Sequence, residues 1–87
     1  MVSSEIRLTI IGKPGCHLCD DAEEVINEVT SEFDSANITL EHKNVLEDEK
    51  LFKKYSEEIP VLLINGKVHN YWRIDPVRLR EALSKLI

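Results

Sequence analysis

The chain has 87 residues, of which 43% are hydrophobic and 31% are charged, so it can bury one modest core. Its formal net charge of −5 argues against a nucleic-acid partner, because Lys and Arg are too few to neutralise a phosphate backbone. Residues 1–5 lack the basic and apolar segments of a secretory signal, and no apolar run is as long as a membrane span. We therefore expect a single cytoplasmic domain over residues 1–87, without a membrane partner.

The first half of the chain predicts a strand, a helix and a second strand. Residues 6–11 are mostly apolar, as in a strand covered on much of both faces, and the Pro14-Gly15 pair ends this run. Apolar residues recur at helical spacing from Leu18 to Phe33, and the polar residues 34–37 end this helix. Residues 38–45 predict a second strand, parallel to the first through a right-handed crossover.

The second half begins with a short helix and a strand pair. Glu47 or Asp48 can open the helix. Residues 61–64 are continuously apolar, as in a central strand buried on both faces. Asn65-Gly66 is a strong signal for a tight hairpin into a strand over residues 67–71, so the last two strands are predicted to be antiparallel.

The Asp75-Pro76 pair marks the start of the last helix, because it supplies an N-cap followed by proline at the first helical position. Apolar residues then recur at helical spacing towards the C-terminus, at Leu79, Ala82, Leu83 and Leu86. The predicted fold is therefore α/β, with the element order βαβ-α-ββα.

Cys16 and Cys19 are the only cysteines, and they stand between the first strand and the first helix. A close pair in a reducing compartment points to redox chemistry or to a metal. Residues three apart on a helix lie on one face, about 5–6 Å apart, so the pair can cycle between dithiol and disulfide. The helix N-terminus favours a thiolate at the first sulfur, which predicts Cys16 as the attacking thiol and Cys19 as the resolving thiol.

Charged neighbours of the two thiols have opposing effects. Lys13 adds positive charge beside Cys16, and His17 does so when it is protonated. Asp20 and Asp21 disfavour a thiolate at the second cysteine, although they suit the first turn of a helix. The sequence therefore leaves the net effect on reactivity open.

Pro60 is a second functional candidate, because it precedes the most apolar strand. A cis peptide bond there would turn the backbone N–H and C=O of Ile59 towards an extended substrate near Cys16. Cis bonds are a small minority of X-Pro bonds in folded proteins, so the residues alone predict the trans form.

Several residues have a second interpretation. Two of His17, His42 and His69 could complete a zinc site with the thiols, or the thiols could be structural, but the strand-Pro-Gly-CxxC-helix order favours redox use. His42 and His69 are otherwise predicted to be surface strand residues. Trp72, after Tyr71, either packs against the fold or lines a cleft.

The order of elements and motifs resembles the thioredoxin superfamily, and specifically its small glutaredoxin-like proteins, from Ile6 to Leu86. Residues 13–19, Lys-Pro-Gly-Cys-His-Leu-Cys, resemble the glutaredoxin Lys-Pro-x-Cys-Pro-x-Cys loop, and residues 58–61 resemble the segment that carries the cis-proline. The resemblance implies a four-stranded mixed sheet in the order 2-1-3-4 with helices on both faces. It also implies Cys16 as nucleophile, Cys19 as resolving thiol and Pro60 in the cis form.

This sequence departs from that pattern at several positions. Glutaredoxins usually carry Gly-Gly where Tyr71-Trp72 stands here, followed by an acid that corresponds to Asp75. His17 replaces the usual proline between the cysteines, and Ile10 stands where thioredoxins keep a buried acid. The chain is thus more similar to a glutaredoxin-like protein than to a typical thioredoxin, and glutathione is only a candidate reductant.

The sequence favours a dithiol–disulfide oxidoreductase without a cofactor or a metal, acting as a monomer on a disulfide-containing protein or a small-molecule thiol. Its reductant is not identified. Substrate contacts are expected from Lys13, His17, Ile59, Pro60, Trp72 and Asp75. The alternative is a non-catalytic module that holds zinc or an iron–sulfur cluster at its thiols, or that recognises a protein partner with residues 71–73.

Overall fold

The computed structural model describes residues 5–33 and 37–86. Its strands are β1 (Glu5–Gly12), β2 (Asn37–Asn44), β3 (Val61–Ile64) and β4 (Lys67–Tyr71), and its α-helices are α1 (His17–Thr30), α2 (Glu49–Tyr55) and α3 (Pro76–Leu86). Short 3-10 turns follow α1 at Ser31–Phe33 and β2 at Val45–Glu47. The predicted order βαβ-α-ββα is confirmed. None of the helices in the described ranges is both long and apolar enough to cross a membrane.

The strands form a mixed four-stranded sheet in the order β2-β1-β3-β4. β1 runs parallel to β2, and β3 runs antiparallel to both β1 and β4. This is the order that the resemblance implied. The register pairs Ile11 of β1 with Val61 of β3, so the turn after β1 and the loop before β3 meet at the same edge of the sheet.

Apolar clusters cover both faces of the sheet. On one face, Ile6, Leu8 and Ile10 of β1 pack against α1 and α3. The residues that these two helices contribute are Ala22, Ile26, Val29, Leu79 and Leu83. On the other face, α2 contributes Tyr55 to a cluster with Ile11, Val45 and Val61. The second half of β1 is therefore covered on both faces, whereas Glu5 and Arg7 in its first half are exposed.

α1 ends earlier than its apolar spacing predicts. The spacing indicates a helix as far as Phe33, but α1 ends at Thr30 and a 3-10 turn carries the chain onward. The hydroxyl of Ser31 donates to the carbonyl oxygen of Glu28 at 2.7 Å, so it competes with backbone N–H groups for the last carbonyls of the helix. Phe33 still packs against the core from the 3-10 turn.

β2 lies one residue earlier than its predicted range. Val45 begins a 3-10 turn instead of ending the strand, because the side chain of Asn44 accepts a hydrogen bond from the N–H of Leu46 at 2.8 Å. The polar residues 34–36, which were part of the predicted end of α1, lie outside the described residues.

Aspartate caps open α2 and α3. The Oδ1 atom of Asp48 accepts a hydrogen bond from the N–H of Lys50 at 2.9 Å, so Asp48, and not Glu47, is the cap of α2. Asp75 accepts from the N–H of Val77 at 2.9 Å, and Pro76 follows it as the first helical residue. Both caps satisfy backbone donors that have no partner inside the helix.

The hairpin between β3 and β4 turns at Asn65 and Gly66, as predicted. Their φ angles are 52° and 87°, which matches the positive φ that a type I′ turn requires at both central residues. The Oδ1 atom of Asn65 also accepts the N–H of Arg7 at 2.9 Å, which ties the hairpin to β1.

We expect Leu79→Ala to lower the free energy of unfolding by about 2–5 kcal/mol, because the Leu79 side chain is fully buried between α3 and the sheet. Leu86→Ala on the same helix is the matched control. Leu86 is 39% exposed, so its loss should cost less than about 1 kcal/mol. Urea unfolding followed by circular dichroism measures both values, and equal losses would contradict this assignment of the core.

Candidate active site

The thiol pair lies where β1 passes into α1. After Gly12 the turn runs through Lys13 to Gly15, whose φ of 76° lies in the left-handed region that glycine adopts without strain. Cys16 has extended backbone, with φ −95° and ψ 112°, and it is the N-cap of α1. Its sulfur therefore lies at the start of the helix, as predicted.

The sulfur of Cys16 fills the role that a serine or aspartate oxygen usually has at a helix start. The backbone N–H of Cys19 donates a hydrogen bond to Cys16 Sγ at 3.2 Å. That N–H belongs to the first turn of α1, where backbone donors have no partner within the helix and the dipole is positive. Both thiols are free and half-buried. This arrangement stabilises negative charge on the Cys16 sulfur, which is what a nucleophilic thiol needs.

Cys19 is in a different environment. The pKa of its thiol is raised from 9.0 to about 11, and burial is the largest cause. The hydrogen bond with the Cys16 side chain, the charge of Cys16 and the carboxylate of Asp20 also contribute to the rise, whereas the hydrogen bond with the backbone of Lys13 opposes it. The question that the sequence left open is thus answered for Cys19, whose thiol stays protonated at neutral pH. Asp21, which was expected to contribute, is not among the causes.

Gly12 leaves room for the Cys19 side chain because it has no Cβ atom. A Cβ atom at position 12 would lie 2.7 Å from Cys19 Sγ and 3.3 Å from Cys19 Cβ. Real Cβ contacts are essentially never as short as the first distance. The last residue of β1 therefore has to be a glycine if the second thiol is to keep this position.

The loop before β3 lies beside the thiol turn. The Ile59-Pro60 peptide bond is cis. The cis form that the resemblance implied is therefore confirmed, and the trans form predicted from the residues alone is wrong. Pro60 is fully buried, and Ile59 packs against the cluster on the α2 face. Because Val61 pairs with Ile11, this loop and the thiols share one edge of the sheet.

Trp72 connects the end of β4 to the loop that carries the cis bond. Its backbone N–H donates to the carbonyl oxygen of Pro60 at 2.7 Å, and its indole N–H donates to that of Glu57 at 3.2 Å. The side chain is 53% exposed and, with Leu18 and Arg73, lines a shallow cavity of about 280 Å³ beside α1. Of the two interpretations of Trp72, lining a cleft therefore fits the structure better than packing.

The other predicted contact residues lie on different elements of the fold. Lys13 is exposed on the turn, and His17 is the exposed first residue of α1. Asp75 has the N-cap role at α3, where its Oδ1 accepts the N–H groups of Val77 and Arg78. Its described hydrogen bonds are thus with backbone groups of its own helix.

The histidines that could have completed a zinc site lie apart. His42 is exposed, and its Nε2 lies 3.0 Å from Oε2 of Glu23. His69 is half-buried, which corrects the prediction of a surface position, and burial, followed by the charge of Arg78, lowers its pKa. Within residues 5–33 and 37–86, no group of three or more His, Cys, Asp or Glu side chains is placed to hold a metal ion.

Sequence reasoning missed a cavity on the β2 side of the thiols. It has a volume of about 220 Å³, and its walls include Cys19, Asp20, Glu23 and His42. The four-residue spacing of Cys19 and Glu23 on α1 was a signal for it, because such residues share a helix face. The position of His42 follows only from the register that pairs it with Ile10.

Comparison with known proteins extends over nearly the whole chain. A family model described as a glutaredoxin-like domain matches residues 7–84. A glutaredoxin-like protein of Dictyostelium discoideum is 28% identical, over 94% of this chain and 79% of that protein. A thioredoxin of Methanocaldococcus jannaschii is 29% identical, over 94% and 96% of the two chains. The X-ray structure of a protein from X. campestris gives a TM-score of 0.73 at 27% identity, over 90% of this chain and 96% of that one.

Gly12→Ala should lower the free energy of unfolding by about 1–3 kcal/mol, because the added methyl group displaces the Cys19 side chain. Repeating the substitution in a Cys19→Ala background removes the clashing sulfur, so the cost should be smaller there. Urea unfolding of the four proteins completes a double-mutant cycle. The same cost in both backgrounds would show that the contact with Cys19 Sγ is not the cause.

The raised pKa of Cys19 makes stability depend on alkaline pH. Because the folded state holds the thiol proton more tightly, this contribution is complete below pH 9.0 and is lost as the pH rises through about 11. We expect the free energy of unfolding to fall more steeply over this window in the wild type than in Cys19→Ser. Chemical denaturation at a series of pH values measures the free energy of unfolding of both proteins. The titration of lysines and tyrosines is common to both, so it cancels in the difference. If the free energies of unfolding of the two proteins fell equally with pH, the raised pKa of Cys19 would be contradicted.

Proposed function

The chain belongs to the glutaredoxin-like domain family and has a thioredoxin-like fold, and on that premise we propose that it is a dithiol–disulfide oxidoreductase. The observation that carries the proposal is the hydrogen bond from the Cys19 N–H to Cys16 Sγ at the start of α1. It supports a nucleophilic sulfur at the one thiol that caps the helix. The names of the two relatives, a glutaredoxin-like protein and a thioredoxin, support the same class of chemistry.

The proposed reaction has two exchange steps. The Cys16 thiolate attacks one sulfur of a substrate disulfide, that bond breaks, and half of the substrate leaves as a thiolate. Cys19 then loses its proton and attacks Cys16 Sγ, which releases the other half as a thiolate. The products are a reduced substrate and a Cys16–Cys19 disulfide, so two electrons pass to the substrate. A thiol reductant, with glutathione as one candidate, returns the protein to the dithiol.

Residues at the shared edge of the sheet provide the substrate contacts in this proposal. The backbone of Ile59 and the cis Pro60 bind an extended substrate, while Trp72 supplies an exposed apolar wall. Lys13 and His17 add polar contacts from the thiol turn and α1, and Asp75 adds a carboxylate at the start of α3. The substrate is a disulfide-containing protein or a small-molecule thiol in its disulfide form, and the protein acts as a cytoplasmic monomer without a cofactor.

A second candidate, favoured by the exposed aromatic pair, is a module that recognises a protein partner without catalysis. Tyr71 and Trp72 are 37% and 53% exposed, and their ring centroids lie 6.2 Å apart. Such a module would bind its partner equally well when both thiols are replaced by serine. A module that holds zinc or an iron–sulfur cluster would instead copurify with metal and resist alkylation until a chelator is added.

We expect Cys19→Ser to accumulate mixed disulfides at Cys16, because the second exchange step is blocked while the first is not. Purification of this variant from cells under acid-quenched, non-reducing conditions, followed by mass spectrometry, identifies the trapped thiol compounds. The wild type should contain instead a Cys16–Cys19 disulfide that thiols reduce reversibly.

Cys16→Ser and the double variant Cys16→Ser/Cys19→Ser are the matched controls, and both should trap nothing and lose disulfide reductase activity. Equal adduct levels in Cys19→Ser and Cys16→Ser would contradict the assigned roles of the thiols. Retention of activity by Cys16→Ser would contradict the catalytic proposal altogether.

A further inference from the structure

The proposed function leaves one chemical requirement unassigned: a group that takes the proton from Cys19. Only a thiolate attacks a disulfide efficiently, and the pKa of Cys19 is about 11. The unassisted thiol therefore supplies very little thiolate at neutral pH. A base beside Cys19 would remove the proton as the sulfur attacks.

The cavity beside Cys19 is lined by a carboxylate and an imidazole that are in contact. Glu23 follows Cys19 by four residues on α1, so the two side chains lie on the same helix face. His42 reaches the cavity from β2, where it pairs with Ile10 of β1. The two side chains are joined by the 3.0 Å contact between His42 Nε2 and Glu23 Oε2.

We propose that the Glu23–His42 pair is the proton acceptor for Cys19 in the second exchange step. The inference rests on the proposed function, because it concerns the attack of Cys19 on a mixed disulfide at Cys16. The cavity of about 220 Å³ has room for several water molecules, each of which occupies about 30 Å³ in the liquid. Transfer through water therefore needs no direct contact between the sulfur and the pair.

The step balances as a single proton transfer coupled to thiol exchange. The proton leaves Cys19 Sγ and moves to Nδ1 of His42, and the imidazolium that forms is stabilised by the Glu23 carboxylate, which accepts the hydrogen bond from His42 Nε2–H. The Cys19 sulfur bonds to Cys16 Sγ, and the bond between Cys16 and the substrate sulfur breaks. The substrate leaves as a thiolate and takes up a proton from solvent.

The other groups on the cavity wall are less suited to this role. Lys13 from the turn and Lys43 from β2 are cations, and an ammonium group has no site that accepts a proton. Ile10 from β1 is apolar. Asp20 directly follows Cys19, and adjacent residues on a helix do not face each other. Its carboxylate raises the pKa of Cys19 through its charge.

The exposure of the pair suits a base that must release its proton again after each reaction cycle. The Glu23 and His42 side chains are 40% and 56% exposed, so the proton can pass from the pair to solvent. The same exposure makes both positions suitable for substitution, because neither side chain belongs to the buried core.

The test uses Ellman's reagent, which gives a coloured thiolate at each exchange step. Attack of Cys16 on the reagent releases the first thiolate at a rate that rises with reagent concentration. Attack of Cys19 on the resulting mixed disulfide releases the second thiolate, and the rate of this step does not depend on reagent concentration. Stopped-flow measurement therefore separates the two steps in the intact protein, and Cys19→Ser should lack the second phase.

We expect Glu23→Gln and His42→Asn each to slow the second phase at neutral pH by about tenfold or more, and to leave the first phase within about twofold of the wild type. The difference should disappear at strongly alkaline pH, where the Cys19 thiolate forms without a base. The matched control is Asp20→Asn, which removes a carboxylate from the same cavity wall. It should not slow the second phase, because its loss lowers the Cys19 pKa.

An unchanged second phase in either Glu23→Gln or His42→Asn would overturn the proposal and leave the proposed function intact. Equal slowing by Asp20→Asn would also overturn it, since a general charge effect would then suffice. Slowing that persists at high pH would point to a structural defect instead of a lost base, and it would refute the proposal as well. If the wild type itself lacks a second phase that depends on Cys19, the proposed function fails first.

Discussion

The antiparallel register between β1 and β3 is the constraint on which the site depends. It sets Ile11 beside Val61, and by doing so it places the turn after β1 next to the loop before β3. The thiols and the cis peptide bond of Pro60 are distant in sequence, but this pairing brings them to one edge of the sheet. A slip of one residue would turn the side chains of β3 to the opposite face and break both apolar clusters. The core and the candidate site are therefore fixed by the same hydrogen bonds.

The two thiols differ because they occupy different depths of one helix turn. Cys16 is the cap of α1 and receives a backbone N–H, while Cys19 is turned towards Gly12 at the end of β1. The second position favours a protonated sulfur, as the raised pKa of Cys19 indicates. One short motif thus yields two chemically distinct groups, because the cap position acts on the first sulfur and burial acts on the second.

Features set by neighbouring residues could be predicted from the sequence, whereas features set by distant contacts could not. The turn at Asn65-Gly66 and the cap at Asp75 follow from local backbone preferences, and both are present. The cis bond before Pro60 has no local signal, and only the resemblance to glutaredoxins implied it. The half-buried position of His69 and the contact between Glu23 and His42 depend on strand register, which the sequence does not specify.

The backbone of Trp72 restricts which residues its position accepts. Its φ of 60° lies in the left-handed region, which costs a side-chain-bearing residue roughly 1–2 kcal/mol and glycine very little. A glycine would relieve that strain, but it would remove both the indole hydrogen bond to Glu57 and the aromatic wall of the shallow cavity. Replacing Trp72 with glycine would therefore relieve the backbone and at the same time widen the shallow cavity beside α1.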